Sequence, residues 1–289
     1  MRVIWALIGI LPAASSGCSI WAQQPVAAQQ LIREVVYNEL RDHNAHGFWR
    51  YWIEQHTQDA TLLEQQVETA DGPVTRLVQS NGHPIDAQSR KEEQTRLEKL
   101  VNSPQQLASH RKDYLDDEKR IALVMTMLPD AFIFEDAGDE NDCHHLHYRP
   151  NPAYVPRSME ARVLHSMTGD LWINARFKRL ARLEGHLNDS LDFGFGLLGH
   201  LDKGGWFRMQ RVQVGPTEWK TWEIELHLSG RAFVWKTIAQ QTSERRGGFV
   251  PVPSGITLSQ GMSILNQIDP QAMPDATARL SPASFGNHN

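Results

Sequence analysis

The chain has 289 residues, 22% charged and 40% aliphatic or aromatic, the proportions of an ordinary folded protein rather than a disordered or fibrous one. Lys and Arg number 29 against 34 Asp and Glu, a net charge of −5, so no basic field recommends a nucleic acid as partner. Two cysteines, Cys18 and Cys143, exclude a disulfide framework, and stability must come from an ordinary core.

Met1 and Arg2 precede an unbroken apolar run, Val3 to Leu11, followed by Pro12 and the small residues Ala13 to Gly17. This order predicts a secretory signal peptide over residues 1–22, and with it export to the periplasm or cell envelope of a bacterium. The run is too short to span a bilayer. Two processing routes are open. Ser15-Ser16-Gly17-Cys18 reads as a lipobox, which would acylate Cys18 and tether the protein to a membrane surface; cleavage after Ala22 would instead leave Gln23 as the N-terminus.

Gln29 to Leu40 predicts a helix, because Leu31, Ile32, Val35, Val36 and Leu40 recur at helical spacing. From Phe48 the period changes to two. Phe48 to Ile53, Ala60 to Thr69 and Val74 to Gln79 predict consecutive antiparallel strands, with Asp71-Gly72-Pro73 and Asn81-Gly82 as turns. Residues 87–128 predict helices. Ser103-Pro104 marks a fresh start, Asp116-Asp117-Glu118 begins a third segment, and Pro129 ends it.

Ala131 to Glu135 and His144 to Tyr148 predict strands around the acidic loop Asp136 to Asp142, and Pro156 to Met167 a short helix. Alternating runs follow at Leu171–Phe177, Arg179–Leu187, Leu191–Leu197, Trp206–Val214, Thr221–Leu228 and Phe233–Ile238. Ser243 to Gly248 reads as a hairpin turn, Thr257 to Gln267 as an amphipathic helix, and residues 268–289 as a disordered tail. Regular alternation means a sheet with one buried and one wet face. The fold class expected is α+β: a strongly curved antiparallel sheet, an incomplete barrel, with helices inserted over its concave face.

Gly194, Gly196 and Gly199 spell G-x-G-x-x-G, and Asp192-Phe193-Gly194 spells D-F-G. Neither signature has its context. A dinucleotide site needs a helix directly after the glycines, whereas Gly204, Gly205 and a new strand follow here. No H-R-D-type loop lies upstream. The glycines instead strip one face of a strand.

Three stretches carry a family resemblance: "TGDLWINARFKRLARLEGHL" (Thr168–Leu187), "LDFGFGLLGHLDKGGWF" (Leu191–Phe207) and "SGRAFVWKTI" (Ser229–Ile238). Their order, after an N-terminal helix and with helices between strands, resembles the LolA and LolB lipoprotein carriers and the periplasmic sensor RseB. The resemblance spans residues 28–267. Asn174 stands where that family usually has Asp. It implies a half-barrel of 28–267 that binds a lipid or acylated ligand without catalysis or cofactor.

The residues themselves agree. A two-faced sheet with separate apolar helices can enclose a pocket without charged groups, and acyl chains bind such a pocket by burial, about 0.8 kcal/mol per methylene. Candidate lining residues are Met125, Met127, Phe193, Phe195, Trp222, Ile224 and Leu226. One cluster of ligating residues stands out: Cys143, His145 and His147 share one face of a strand and suit zinc or copper. Their spacing of about 7 Å lets two share a metal and strains three. H-E-x-x-H, G-x-S-x-G and the P-loop are missing from the sequence. The expected function is an exported, non-enzymatic carrier of a lipid or acyl chain. Two others compete: a sensor module that engages another envelope protein, and a metal-dependent hydrolase using Cys143, His145 and His147.

Overall fold

The computed structural model describes residues 24–45, 47–193, 199–232 and 236–268. Helix α1 (Gln24–Ala45) leads into β1 (Phe48–His56), β2 (Thr61–Val67), β3 (Val74–Ser80) and the short β4 (His83–Pro84). Two helices follow, α2 (Ala87–Asn102) and α3 (Pro104–Ala131), then β5 (Phe132–Glu140), β6 (Cys143–Pro150) and α4 (Met159–His165). The chain closes with β7 (Met167–Asn174), β8 (Arg179–Leu187), β9 (Leu191–Phe193), β10 (Gly199–Leu201), β11 (Trp206–Gln213), β12 (Trp219–Ala232), β13 (Lys236–Val252) and α5 (Leu258–Gln267).

The described strands form one 13-stranded sheet, ordered β4-β3-β2-β1-β13-β12-β11-β8-β7-β6-β5, with β9 and β10 off this path. The neighbours pair antiparallel. The two ends, β4 and β5, do not pair with each other, so the sheet is not closed into a barrel. The α+β class expected from the alternation is therefore the observed one. Gly199 opens strand β10 rather than a helix, which removes the dinucleotide reading; residues 194–198 and 233–235 lie outside the described residues, as do 1–23 and 269–289.

Several boundaries differ from the sequence expectation. The third helical segment does not exist, because α3 runs unbroken through Asp116-Asp117-Glu118. Those charges brace the helix: Lys112 and Lys119 pair with Asp116, and Arg120 with Asp117, at i,i+3 and i,i+4 spacing. Pro129 sits inside the last turn and the helix ends two residues later. The acidic loop is mostly strand. β5 and β6 meet in a tight turn at Asn141 and Asp142, both with positive φ (47° and 61°), the backbone of a two-residue hairpin. Ser243 to Gly248 is not a turn but the middle of β13. Arg245 and Arg246 are held there by Glu223 and Glu244. Gly248, at φ +66°, and Phe249 together face Tyr51 in a bulge between Arg50 and Trp52.

The helix starts are legible in local chemistry. Asp86 caps α2 through the Ser89 amide (2.7 Å) and Ser103 caps α3 through the Gln106 amide (3.3 Å), with Pro104 next. Thr257 and Gln260 form a reciprocal capping box on α5.

Packing follows from the alternation. On β5 to β8, Phe132, Phe134, Leu146, Tyr148, Leu171, Ile173 and Leu180 point to one face. There they meet Ile32, Val35 and Val36 of α1 and Met127 and Ala131 of α3. We call this the inner face. At the other end of the sheet Val67 and Val74 point outward and are covered by Leu97 of α2 and Leu258 and Leu265 of α5. Gly261 lets α5 approach; a Cβ there would lie 2.6 Å from Thr69 Cγ2 and 2.9 Å from Val74 Cγ1.

Helix α3, about 42 Å long at 1.5 Å per residue, straps the inner face. Its early turns meet the β2–β3 turn, where His110 and Tyr114 crowd Gly72 and Arg111 faces Asp71 at 3.8 Å. Its last turns sit in the core beside β5. Between these two anchor points it bridges open space. Among the described residues no helix is long and apolar enough to cross a membrane.

Candidate functional site

The space beneath α3 is a cavity of about 500 Å³. Tyr114, Glu118, Ile121, Ala122 and Met125 form its roof. Their spacing places them along one stripe of α3. The floor is the inner face of the central strands, including Tyr51, Gln66, Glu68, Met209, Arg211, Lys220, Thr221, Ile224 and Arg246, and α1 adds Glu39 and Leu40.

One end of the cavity is apolar. Leu40, Met125, Leu180 and Met209 close it against the core. The void inside that core, lined by Ile32, Val36, Phe132, Phe134 and others, measures only about 30 Å³. That is room for about one water, so the core proper is packed.

Most charges in the wall are held in ion pairs. Glu39 takes Arg179 through Nε (3.0 Å) and Nη2 (2.8 Å), Arg211 at 2.5 Å, and the Leu180 amide at 2.9 Å. Burial pushes its pKa up, but the two guanidinium groups outweigh burial and hold the carboxyl below the ordinary range. Glu68 accepts Lys220 Nζ at 2.7 and 2.8 Å and the Trp49 amide at 3.1 Å. Gln66 donates to the Tyr51 hydroxyl, and Arg246 pairs with Glu244. Burial, reinforced by Glu68 and Glu244, pushes the Tyr51 phenol far above its usual range. Tyr114 is pushed to about 12 by burial and by Glu118 and Glu68. Neither phenol ionises near neutrality, so both offer neutral hydroxyls. Trp219, also in the wall, has a buried indole N–H without a hydrogen-bond partner among the described residues.

This lining corrects the expectation of a pocket without charged groups. Two bulges shape this wall. On β12 the register steps between Arg211↔Thr221 and Gln210↔Glu223, which leaves Trp222 as the extra residue. The alternation switches there, so Thr221 and Ile224 both reach the cavity. The second bulge, at Gly248, accompanies the continuous β13 that puts Arg246 on the inner face; a hairpin turn at that point would have left it outside.

The expected lining residues scatter. Met125 and Ile224 line the cavity. Met127 is buried in the α1–α3 core. Trp222 is the half-buried bulge residue, and Leu226 is half-buried between Phe207 and Thr242. Phe193 is described only as backbone of β9, and Phe195 and Cys18 lie outside the described residues.

Cys143, His145 and His147 do share a strand face on β6, opposite the face that carries Leu146 and Tyr148 into the core. They do not converge as a trio. Cys143 pairs across to Asn174 and Glu140 at the strand's start. Burial, with Asp142 and Glu140 beside it, raises its pKa and disfavours a free thiolate nucleophile. The two histidines gather instead around Asp170 of β7, a residue no local motif pointed to.

Comparison with known proteins adds little. No family model matches the chain, and no curated protein matches it. Among solved structures, a DUF1329 family protein from Desulfovibrio piger is similar at 9% identity, covering 81% of this chain and 95% of that one with a TM-score of 0.28. A likeness that slight carries no argument about function.

Proposed function

We propose that the protein is an exported, non-enzymatic binding protein that holds an amphiphilic ligand, an acyl chain with a polar head, between α3 and the central strands. The cavity carries this reading. About 500 Å³ lies within the range of small-molecule sites, about 300–1,000 Å³. Its composition is graded. Leu40, Ala122, Met125, Leu180 and Met209 suit hydrocarbon, while Glu68, Lys220, Arg246 and two neutral phenols suit a hydrogen-bonding head. Each buried methylene contributes about 0.8 kcal/mol, so even a short chain supports useful affinity. The wall's own ion pairs leave no strong demand for a charged ligand. Export rests on the signal-like residues 1–22.

Native mass spectrometry on protein purified without detergent tests this. The expected result is a bound species of several hundred daltons that organic extraction removes and an added fatty acid or phospholipid restores. Protein that is empty as purified and takes up neither lipid would overturn the proposal.

A further inference from the structure

We propose that His145, His147 and Asp170 form a binding site for a divalent transition-metal ion on the outer face of the sheet. The site is independent of the cavity, which lies on the opposite face. Its construction follows from strand alternation. Leu146 and Tyr148 enter the core, so the intervening His145 and His147 point outward. On β7, Leu171 and Ile173 enter the core, so Asp170 and Trp172 point outward. Register then places Asp170 opposite His147 and Trp172 opposite His145.

The donor atoms converge. Asp170 Oδ1 lies 2.8 Å from His145 Nε2 and also contacts His147 Nδ1. One donor atom from each of the three residues lies within 4.8 Å of the others. Tetrahedral zinc holds its donors about 3.3 Å apart at bond lengths of about 2.0–2.1 Å, so small side-chain rotations open the cluster around an ion. Two imidazoles and one carboxylate suit zinc, copper or nickel, and they exclude calcium and magnesium, which prefer all-oxygen shells. Three protein ligands leave a coordination position for water, and His147, 59% exposed, puts that position at the surface.

The surroundings hold the ligands in place. The His145 ring stacks on Trp172 with centroids 4.5 Å apart and planes 6° from parallel. Trp172 is itself fixed, by its N–H to Glu140 (2.9 Å) and by the Arg182 guanidinium 4.3 Å over its ring. A ligand whose orientation is set before the metal arrives loses less entropy on binding. A second carboxylate, Glu135, stands opposite His147 on β5, although Arg149 partly neutralises it.

The test is calorimetric titration of Zn²⁺ into chelator-stripped full-length protein carrying no histidine tag. The expected result is one ion per chain with a Kd of about 10 µM or tighter. His147→Ala, His145→Ala and Asp170→Asn should each weaken binding about tenfold or more, while Cys143→Ala leaves it unchanged. His147 is exposed, so His147→Ala keeps the fold, and a melting curve in chelator verifies each variant. Cu²⁺ bound to the wild type should show electron-spin splitting from two imidazole nitrogens, and from one in His147→Ala. Zn²⁺ binding weaker than about 1 mM, binding that survives Asp170→Asn, or binding lost in Cys143→Ala would each overturn the assignment.

Discussion

Glu39 of α1 and Arg179 of β8, 140 residues apart, form a two-pronged ion pair at 3.0 and 2.8 Å, with each side chain less than a tenth exposed. The pair fastens the N-terminal helix to the sheet beside the cavity. Arg211 reaches the same carboxylate from β11, so three elements meet at one buried anion.

Removing the carboxylate leaves both guanidinium groups buried without their anion. Glu39→Leu is expected to destabilise the protein by about 3–5 kcal/mol, while the triple variant Glu39→Leu/Arg179→Met/Arg211→Met recovers part of that loss. Urea unfolding of the single and triple variants gives the comparison.

Glu39 also sets a pH dependence. Its folded pKa is depressed, so the unfolded chain binds the proton more readily. Its contribution to stability is complete above the unfolded value, about 4.3, and is lost as pH falls through the folded one. Tm measured between pH 6 and pH 3 should fall less steeply in Glu39→Gln than in wild type.

The bulge at Gly248 places Arg246 on the inner face. Gly248→Ala puts a side chain at φ +66° and adds a Cβ 3.1 Å from Trp52 Cδ1. The expected cost is about 1–2 kcal/mol, read as a lower urea midpoint with an unchanged m-value.

Close strand approach makes Gly169 more sensitive. A Cβ there would stand 2.0 Å from the Glu184 carbonyl oxygen, and backbone cannot rotate aside. Gly169→Ala is expected to cost at least about 2 kcal/mol by forcing β7 and β8 apart. Hydrogen exchange on those two strands would show the loosening.

Much of the fold was legible because its signals are local. Thr257 and Gln260 announce α5, Ser103-Pro104 announces α3, and alternate apolar residues mark most strands. Several misreadings come from features made at a distance, a bulge or an ion pair. Trp222 looks like any strand residue until its partner strand shows that it is the extra one. Ser243 to Gly248 reads as a turn because Glu223, which holds Arg245 in the strand, is 22 residues away. Asp170 was invisible as a partner of His145 for the same reason, since 25 residues and a cross-strand register separate them. Charge in the cavity wall follows from the same long-range pairings.

Titration of a fluorescent polyene fatty acid into wild type and Ala122→Trp shows whether the space beneath α3 takes a ligand. Ala122 lines that space from the roof, so an indole there fills it without entering the packed core. One saturable site per chain in wild type, weakened about tenfold or more in a variant of unchanged Tm, is the expected result. Equal binding by the two proteins, or binding by neither, would contradict it.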